Sequence, residues 1–327
     1  FGFPTTMVGG PCLALQGDTI AVGADHKGFP PNQGSVSVFR RSGSYWYESQ
    51  ELSFATGGNF GRALALDGGF LLVGAPLDSF GAVPTTGSVS SFRWNGSSWV
   101  HEARLFASTP TTGGSFGDVL AVDGDVLAVT SGLGQPGTFG SLPGRVTLFR
   151  RAGGTWNLEQ EFAGEFAGHI FGAALAIDGD RLAVGATGDD FGRGVVVLYR
   201  FDGATWLEED RVTWPNLTAG ARLGFSLALR GELLVVVGGE RHAQSSVGSR
   251  VFRFSWTRDH GRREVVLSSS NLLHTMWRSL SRGLSYGVVS FIARGLGHDT
   301  ESGRRLDPTH GTRHGNANEL WFAFVAR

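Results

Sequence analysis

The chain has 327 residues, a formal net charge of −1 and one cysteine, Cys12. The near-neutral balance gives no ground for a nucleic-acid or anionic-membrane partner, a lone cysteine cannot close an intrachain disulfide, and no apolar run approaches the roughly 18 residues of a membrane-crossing helix. Glycine is abundant at 51 residues, without a collagen-like period, and is accompanied by 24 Phe and 9 Trp, a composition suited to many short strands joined by tight turns.

Taken in chain order, one unit recurs. A large–small–large triplet precedes a glycine turn at Leu13-Ala14-Leu15/Gln16-Gly17, Leu64-Ala65-Leu66/Asp67-Gly68, Leu120-Ala121-Val122/Asp123-Gly124, Leu175-Ala176-Ile177/Asp178-Gly179 and Leu227-Ala228-Leu229/Arg230-Gly231. The turns are 51, 56, 55 and 52 residues apart. Alternation with period two predicts a strand, and the constant small residue predicts a second sheet close against that face. Asp-Gly predicts a hairpin, because both residues tolerate positive φ. A second strand follows and closes at Gly23-Ala24, Gly74-Ala75-Pro76 and Gly185-Ala186.

The second half of the unit is as regular. Phe39, Phe92, Phe149 and Tyr199 each stand seven residues before a tryptophan: Trp46, Trp99, Trp156 and Trp206. Glu102, Glu159 and Glu209 follow three of these tryptophans at a fixed spacing, as if on an exposed strand face opposite arginines. In the fifth unit Phe254, Gly261, Glu264 and Leu267 keep the register without the tryptophan. Units of about 52 residues built from short antiparallel strands predict an all-β fold, a β-propeller of four-stranded blades with five clear repeats and a degenerate sixth.

Two regions are expected: repeats over 1–267 and a different segment over 268–327. From Trp256 onward there are 10 Arg, 5 of the 9 His and 6 acids. This end reads as a degenerate closing blade, a separate basic tail or the worn end of a fragment. Tyr286-Gly287, Arg294-Gly295 and a strand over Leu320 to Val325 would be the remnants of a blade. Phe1 in place of an initiator Met is expected of a processed chain or a fragment.

Phe60-Gly61, Phe116-Gly117 and Phe171-Gly172 open their units, Leu223-Gly224 is a weaker version, and Val73-Gly74-Ala75-Pro76 closes a second strand. Over about residues 9 to 267 this pattern resembles the FG-GAP repeat of integrin-α-like β-propellers. The resemblance implies a radial array of blades, usually seven, in a secreted or cell-surface protein that binds other molecules. Members of that family often carry an Asp-x-Asp-x-Asp-Gly calcium loop between the first two strands. Here that place holds only Asp67-Gly68-Gly69, Asp123-Gly124-Asp125 or Asp178-Gly179-Asp180. A two-residue hairpin supplies too few oxygens for calcium's six to eight ligands, so calcium is not carried over and no cofactor is expected.

The connections between second and third strands vary most, at 25–33, 76–86, 131–143, 187–193 and 239–247. Repeat symmetry would bring all five to one face, and variable loops on a rigid scaffold are where ligand contacts concentrate. The candidate ligand-binding residues are Asp25, His26, Lys27, Asp78, Asp189, Asp190, Arg193, Glu240, Arg241 and His242. No convergent catalytic set, metal site or phosphate loop is legible. His310 and His314 stand four apart, but in a loop composition. The expected function is a non-enzymatic extracellular or cell-surface binding module for a protein or glycan; the sequence assigns no oligomeric state. A glycan hydrolase or lyase and a structural segment of a larger envelope protein are the alternatives.

Overall fold

The computed structural model describes residues 12–25, 33–54, 58–132, 143–214 and 217–238, with the backbone of 239–241, 247–257, 261–267, 291–294 and 319–322. Among these, five four-stranded antiparallel sheets follow one another, each a meander in chain order. Sheet 1 is β1 (Leu13–Gln16), β2 (Thr19–Ala24), β3 (Ser35–Ser42) and β4 (Tyr45–Leu52). Sheet 2 is β5 (Ala63–Asp67), β6 (Phe70–Ala75), β7 (Ser88–Trp94) and β8 (Trp99–Leu105), and sheet 3 is β9 (Leu120–Asp123), β10 (Val126–Ser131), β11 (Arg145–Ala152) and β12 (Thr155–Ala163). Sheet 4 is β13 (Phe171–Asp178), β14 (Arg181–Ala186), β15 (Val195–Phe201) and β16 (Trp206–Val212). Sheet 5 is β17 (Ser226–Arg230), β18 (Leu233–Arg241), β19 (Val247–Thr257) and β20 (Gly261–Leu267). A pair, β21 (Phe291–Arg294) and β22 (Glu319–Phe322), forms a separate two-stranded ladder; the rest of the expected sixth unit lies outside the described residues.

The sheets stack in sequence order through their first strands, β1 beside β5, β5 beside β9, β9 beside β13 and β13 beside β17. Alternation along each strand sorts the side chains. The alanine face of sheet 1, with Ala14, Ala21, Val36, Val38 and Leu52, packs on the large-residue face of sheet 2, with Leu64, Leu71, Val73, Phe92 and Trp99. The same meeting recurs between sheets 2 and 3, where Trp156 is the anchor, and between sheets 3 and 4, where it is Trp206. Trp99, Trp156 and Trp206 are 5%, 8% and 2% exposed, whereas Trp46, with no described sheet before it, is 38% exposed. The recurrent tryptophan therefore packs one sheet on the one before.

Side-chain amides lock this packing. Gln50 of sheet 1 donates to Trp99 O (3.0 Å) and accepts from Trp99 N (2.7 Å). Gln160 of sheet 3 repeats the two bonds on Trp206, at 2.9 and 2.8 Å. Ala103 stands at the matching place in sheet 2, and there the Trp156 indole instead donates to Ser91 Oγ (3.1 Å).

The first hairpin differs from the sequence expectation, which put Asp178 inside the turn. Asp178 still pairs with Arg181, and the two-residue loop is Gly179-Asp180, with Gly179 at φ +58°. Glycine takes the first loop position, where a side chain would be strained. The carboxylate is left to reach the next sheet. Asp67 Oδ2 accepts from Gly124 N (2.7 Å), Asp123 Oδ2 from Gly179 N (2.6 Å) and Asp178 Oδ2 from Gly231 N (2.5 Å). Each acid is a hook onto the turn of its successor.

The repeated glutamates also sit in a different geometry. Sheets 1 to 4 share one β-bulge in the fourth strand, whose extra residue is Ser49, Glu102, Glu159 or Glu209. A bulge re-aims its side chain. Glu102 accepts from Arg151 of the following sheet (3.0 Å), Glu159 from Arg150 (2.8 Å), and Glu209 lies 3.5 Å from Arg181. Sheet 5 keeps an even β19–β20 register.

The Trp packing gives a direct prediction. Trp206→Ala removes a fully buried indole and is expected to cost about 3–5 kcal/mol; Trp46→Ala, at a half-open face, is expected to cost less than about 1 kcal/mol. Urea unfolding of the two variants checks the contrast, and equal losses would contradict the packing role.

Candidate functional site

In a meander, the connection from second to third strand shares one end of the stack with the link from each fourth strand to the next sheet. Backbone bonds tie the two together. Leu77 N donates to Gly58 O (3.0 Å) in sheet 2, and Gly188 N donates to His169 O (2.9 Å) at the matching place in sheet 4. The two corners are built on one frame and finished differently.

Sheet 2 closes its corner. Asp78, 3% exposed, accepts from Ser79 N (2.8 Å) and from Ser88 Oγ, and it forms an ion pair with Arg104 Nη2. The Arg104 guanidinium also lies over Phe106, 5.1 Å from the ring centroid. A carboxylate so buried and already holding three donors offers little to a ligand.

Sheet 4 leaves the corner open. Asp189 stands in the register of Asp78 and accepts from Asp190 N (2.7 Å), as Asp78 does from Ser79. Ser88 is replaced by Val195, which supplies no hydroxyl. Arg211, in the register of Arg104, is forked onto Glu208 at 2.7 and 3.2 Å. What remains is a cavity of about 290 Å³ with Phe171, Ala186, Val197 and Tyr199 as its floor and Glu165, His169, Asp189 and Arg211 at its mouth. His169 Nδ1 lies 3.4 Å from Asp189 Oδ1. The Tyr199 ring stacks on Phe162 at 4.1 Å. Its phenol is pushed up to about 12, by burial first and then by Glu208, with Arg211 opposing. At neutral pH Tyr199 is therefore a hydrogen-bond donor and not an anionic nucleophile.

The rim of this cavity stores backbone strain. Asp190 (φ +46°) and Phe191 (φ +56°) are consecutive left-handed residues within the single helical turn Asp189–Gly192, and Phe191 is 87% exposed. The residue before the Phe-Gly pair is left-handed in every described copy, at Asn59, Ser115, Ile170 and Arg222. At Ile170 it is β-branched, which makes the conformation costly. Strain of about 1–3 kcal/mol per residue persists only where the surroundings enforce it, and it clusters at functional sites. Arg193 supplies the enforcement on the far side, donating to Leu217 O (3.0 Å) and to Asp190 Oδ1 (3.0 Å).

Of the sequence-predicted residues, Asp189 lines the cavity, with Asp190 and Arg193 in the loop that borders it. Asp25 is buried at another corner, 3.5 Å from Arg62, which also meets Asp118 at 3.2 Å. Asp78 is held in its ion pair. Glu240 and Arg241 end β18, with only their backbone described, and His26, Lys27, His242, His310 and His314 lie outside the described residues. The structure adds Glu165, His169, Tyr199 and Arg211. Arg211 had a legible signal, since it follows Trp206 by five residues as Arg104 follows Trp99.

Among the described residues no group of three or more His, Cys, Asp or Glu is placed to hold a metal, and no helix is long and apolar enough to cross a membrane. No family model matches the chain, and no curated protein sequence matches it.

The two corners predict unequal responses to the same change. Asp78→Ala removes the buried carboxylate of the ion pair with Arg104 and is expected to cost about 3 kcal/mol of folding stability. Asp189→Ala removes partly exposed contacts with His169 and the Asp190 amide and is expected to stay within about 1 kcal/mol. Denaturant titration of both variants is the check.

Proposed function

We propose that the chain is a non-enzymatic binding module of the radial, propeller type, acting outside the cell or at its surface, which takes a protein or glycan ligand at the end of the stack carrying the 187–193 loop. The observation that carries this reading is the contrast between equivalent corners: sheet 2 fills its corner with its own Asp78–Arg104 pair, and sheet 4 keeps a cavity there. The stacking of sheets through their first strands supports the radial arrangement, and the Phe-Gly and Gly-Ala repeats support its FG-GAP-like character.

The chemistry of the lining narrows what enters. An aromatic and aliphatic floor with a few polar groups at the mouth is the usual make-up of a small-ligand pocket. Glu165 and Asp189 bring two carboxylates to the lining, where the one arginine, Arg211, is hydrogen-bonded to Glu208 and feels Asp189 only as a lesser charge. The mouth disfavours an anion and suits a neutral polyhydroxyl group such as a sugar ring, with Tyr199 as a donor and Phe191 available to cover it.

Because Glu165 and Asp189 both line the cavity, a glycan hydrolase is the second reading; such an enzyme needs two carboxyls flanking the scissile bond. A glycan panel read for binding and for released product separates the two. The binding module is expected to retain and release an unchanged glycan. Asp189→Ala combined with Phe191→Gly is expected to weaken binding about tenfold or more, the loss of one or two central contacts, with little change in unfolding midpoint. Undiminished binding by that double variant would contradict the placement, and accumulation of cleaved product would replace the module with the enzyme.

A further inference from the structure

Arg40, Arg93, Arg150 and Arg200 hold one register position in the third strands of sheets 1 to 4, beside the bulge of the fourth. In three of these sheets the bulge glutamate reaches the arginine of its own sheet. Glu102 lies 3.8 Å from Arg93, Glu159 2.8 Å from Arg150 and Glu209 3.8 Å from Arg200. Sheet 1 breaks the pattern. Its bulge residue is Ser49, whose hydroxyl donates to Val38 O (3.0 Å). Among the described residues Arg40 meets no carboxylate, and its guanidinium lies over the Trp94 ring, 4.3 Å from the centroid.

Arg40 forms one wall of a cleft of about 120 Å³ between sheets 1 and 2, at the hairpin end of the stack and so opposite the corner cavity of sheet 4. Gln16 and Thr19 of sheet 1 and Gly69, Trp94 and Trp99 of sheet 2 complete its walls. The matching junction of sheets 3 and 4 uses the same frame, with Arg150 over Phe201 at 4.6 Å. There Asp123 stands for Gln16, the buried Val126 for Thr19 and Asp180 for Gly69. Three carboxylates and a valine have thus given way to Ser49, Gln16, Gly69 and Thr19. The acids of the bordering turns are engaged, Asp18 by Arg41 (2.7 Å) and Asp67 by Gln16 Nε2 and Gly124 N. The buried Trp99 indole N–H has no partner among the described residues; Trp156 gives its own to Ser91, where sheet 1 has Val38 in the same register. Val36, Val38 and Arg40 all belong to the face of sheet 1 that meets sheet 2, so the cleft is independent of what covers the other face.

We infer that this cleft binds a small oxyanion, a carboxylate or sulfate group, either free or borne on a sugar. A guanidinium stacked by its face on an aromatic ring keeps its N–H edge for an in-plane partner, and that planar fork matches two oxygens of one oxyanion. Stacking on Trp94 also fixes the fork before the ligand arrives, which lowers the ordering cost of binding. Thr19 brings a hydroxyl to the same lining. The volume holds one such group and little more, so the body of a larger ligand lies outside the cleft.

Titration calorimetry of the full chain with sulfate and with glucuronate, each against chloride at equal ionic strength, tests the inference. Sulfate is a free oxyanion, and glucuronate carries its carboxylate on a sugar, so the tighter probe gives the source. The wild type is expected to show saturable single-site binding. Arg40→Gln is expected to weaken it about tenfold or more, as loss of a charged hydrogen-bond partner does. Ser49→Glu keeps the arginine and restores the carboxylate that the other sheets carry; it is expected to abolish binding without lowering the unfolding midpoint, and it carries the test should Arg40→Gln not fold. A wild type that binds neither probe overturns the inference, as does either variant binding like the wild type.

Discussion

The stack depends on a contact between backbones. Gly185, near the end of β14, lies so close to Gly224 that a β-carbon on Gly185 would run into the Gly224 carbonyl oxygen. Gly224 itself is held at φ +89°, and its amide donates to Val237 O (3.1 Å). The same approach joins Gly23 to Gly61 and Gly74 to Gly117. The glycines of the Gly-Ala and Phe-Gly motifs thus belong to one seam: the first closes the second strand of one sheet, and the second opens the next. Once the backbones meet there, the spacing between sheets is set. Only a small side chain then fits on the facing strand, which is why alanine recurs at the centre of the triplet. Trp99, Trp156 and Trp206 fill the wider gap at the outer strands, and the turn acids fasten the opposite end.

Function enters where this regular device is varied and its closure is omitted. The corners of sheets 2 and 4 share one frame, with a carboxylate three residues after Gly-Ala and an arginine five residues after the tryptophan. Sheet 2 joins the two. In sheet 4 Val195 replaces the hydroxyl, Glu208 draws Arg211 aside, and a histidine takes the place of Gly58. The cavity therefore follows from three local substitutions on a scaffold that keeps its Trp206 anchor, although Thr130 replaces the seam glycine between sheets 3 and 4 and its side chain meets Gly172. Strained residues at Ile170, Asp190 and Phe191 gather at this corner, and a rigid neighbourhood is needed to hold them.

Much of the fold was legible because it rests on positions that every unit must satisfy. The triplets and the Phe–Trp spacing placed the strands of sheets 1 to 4 and the packing tryptophans of sheets 2 to 4, while the Asp-Gly turns fell one residue off. The hairpin acids and bulge glutamates recurred just as clearly, but their partners belong to other sheets or strands, and a one-dimensional pattern does not show which neighbour a side chain will meet. A further set of glycines, Gly34, Gly87, Gly144 and Gly194, abuts the backbone of Phe60, Phe116, Phe171 and Leu223 before each third strand; it escaped notice because the loops preceding it vary in length. The site was the least legible. Asp78 and Asp189 look equivalent in sequence, and only the partners at Ser88, Arg104, Val195 and Arg211 separate a filled corner from an open one.

The seam is tested most directly by the stability of Gly185→Ala. Gly185 does not need positive φ, so the substitution changes only the space it fills. Without a seam, alanine in a strand interior should stabilise by about 0.5–1 kcal/mol relative to glycine. With the Gly224 carbonyl in the way, the sheets must part, and a loss of about 2 kcal/mol or more is expected, as for other overpacked sites. Equilibrium unfolding in denaturant gives the sign. A destabilised variant agrees with sheets spaced by backbone contact, and a neutral or stabilised one contradicts it.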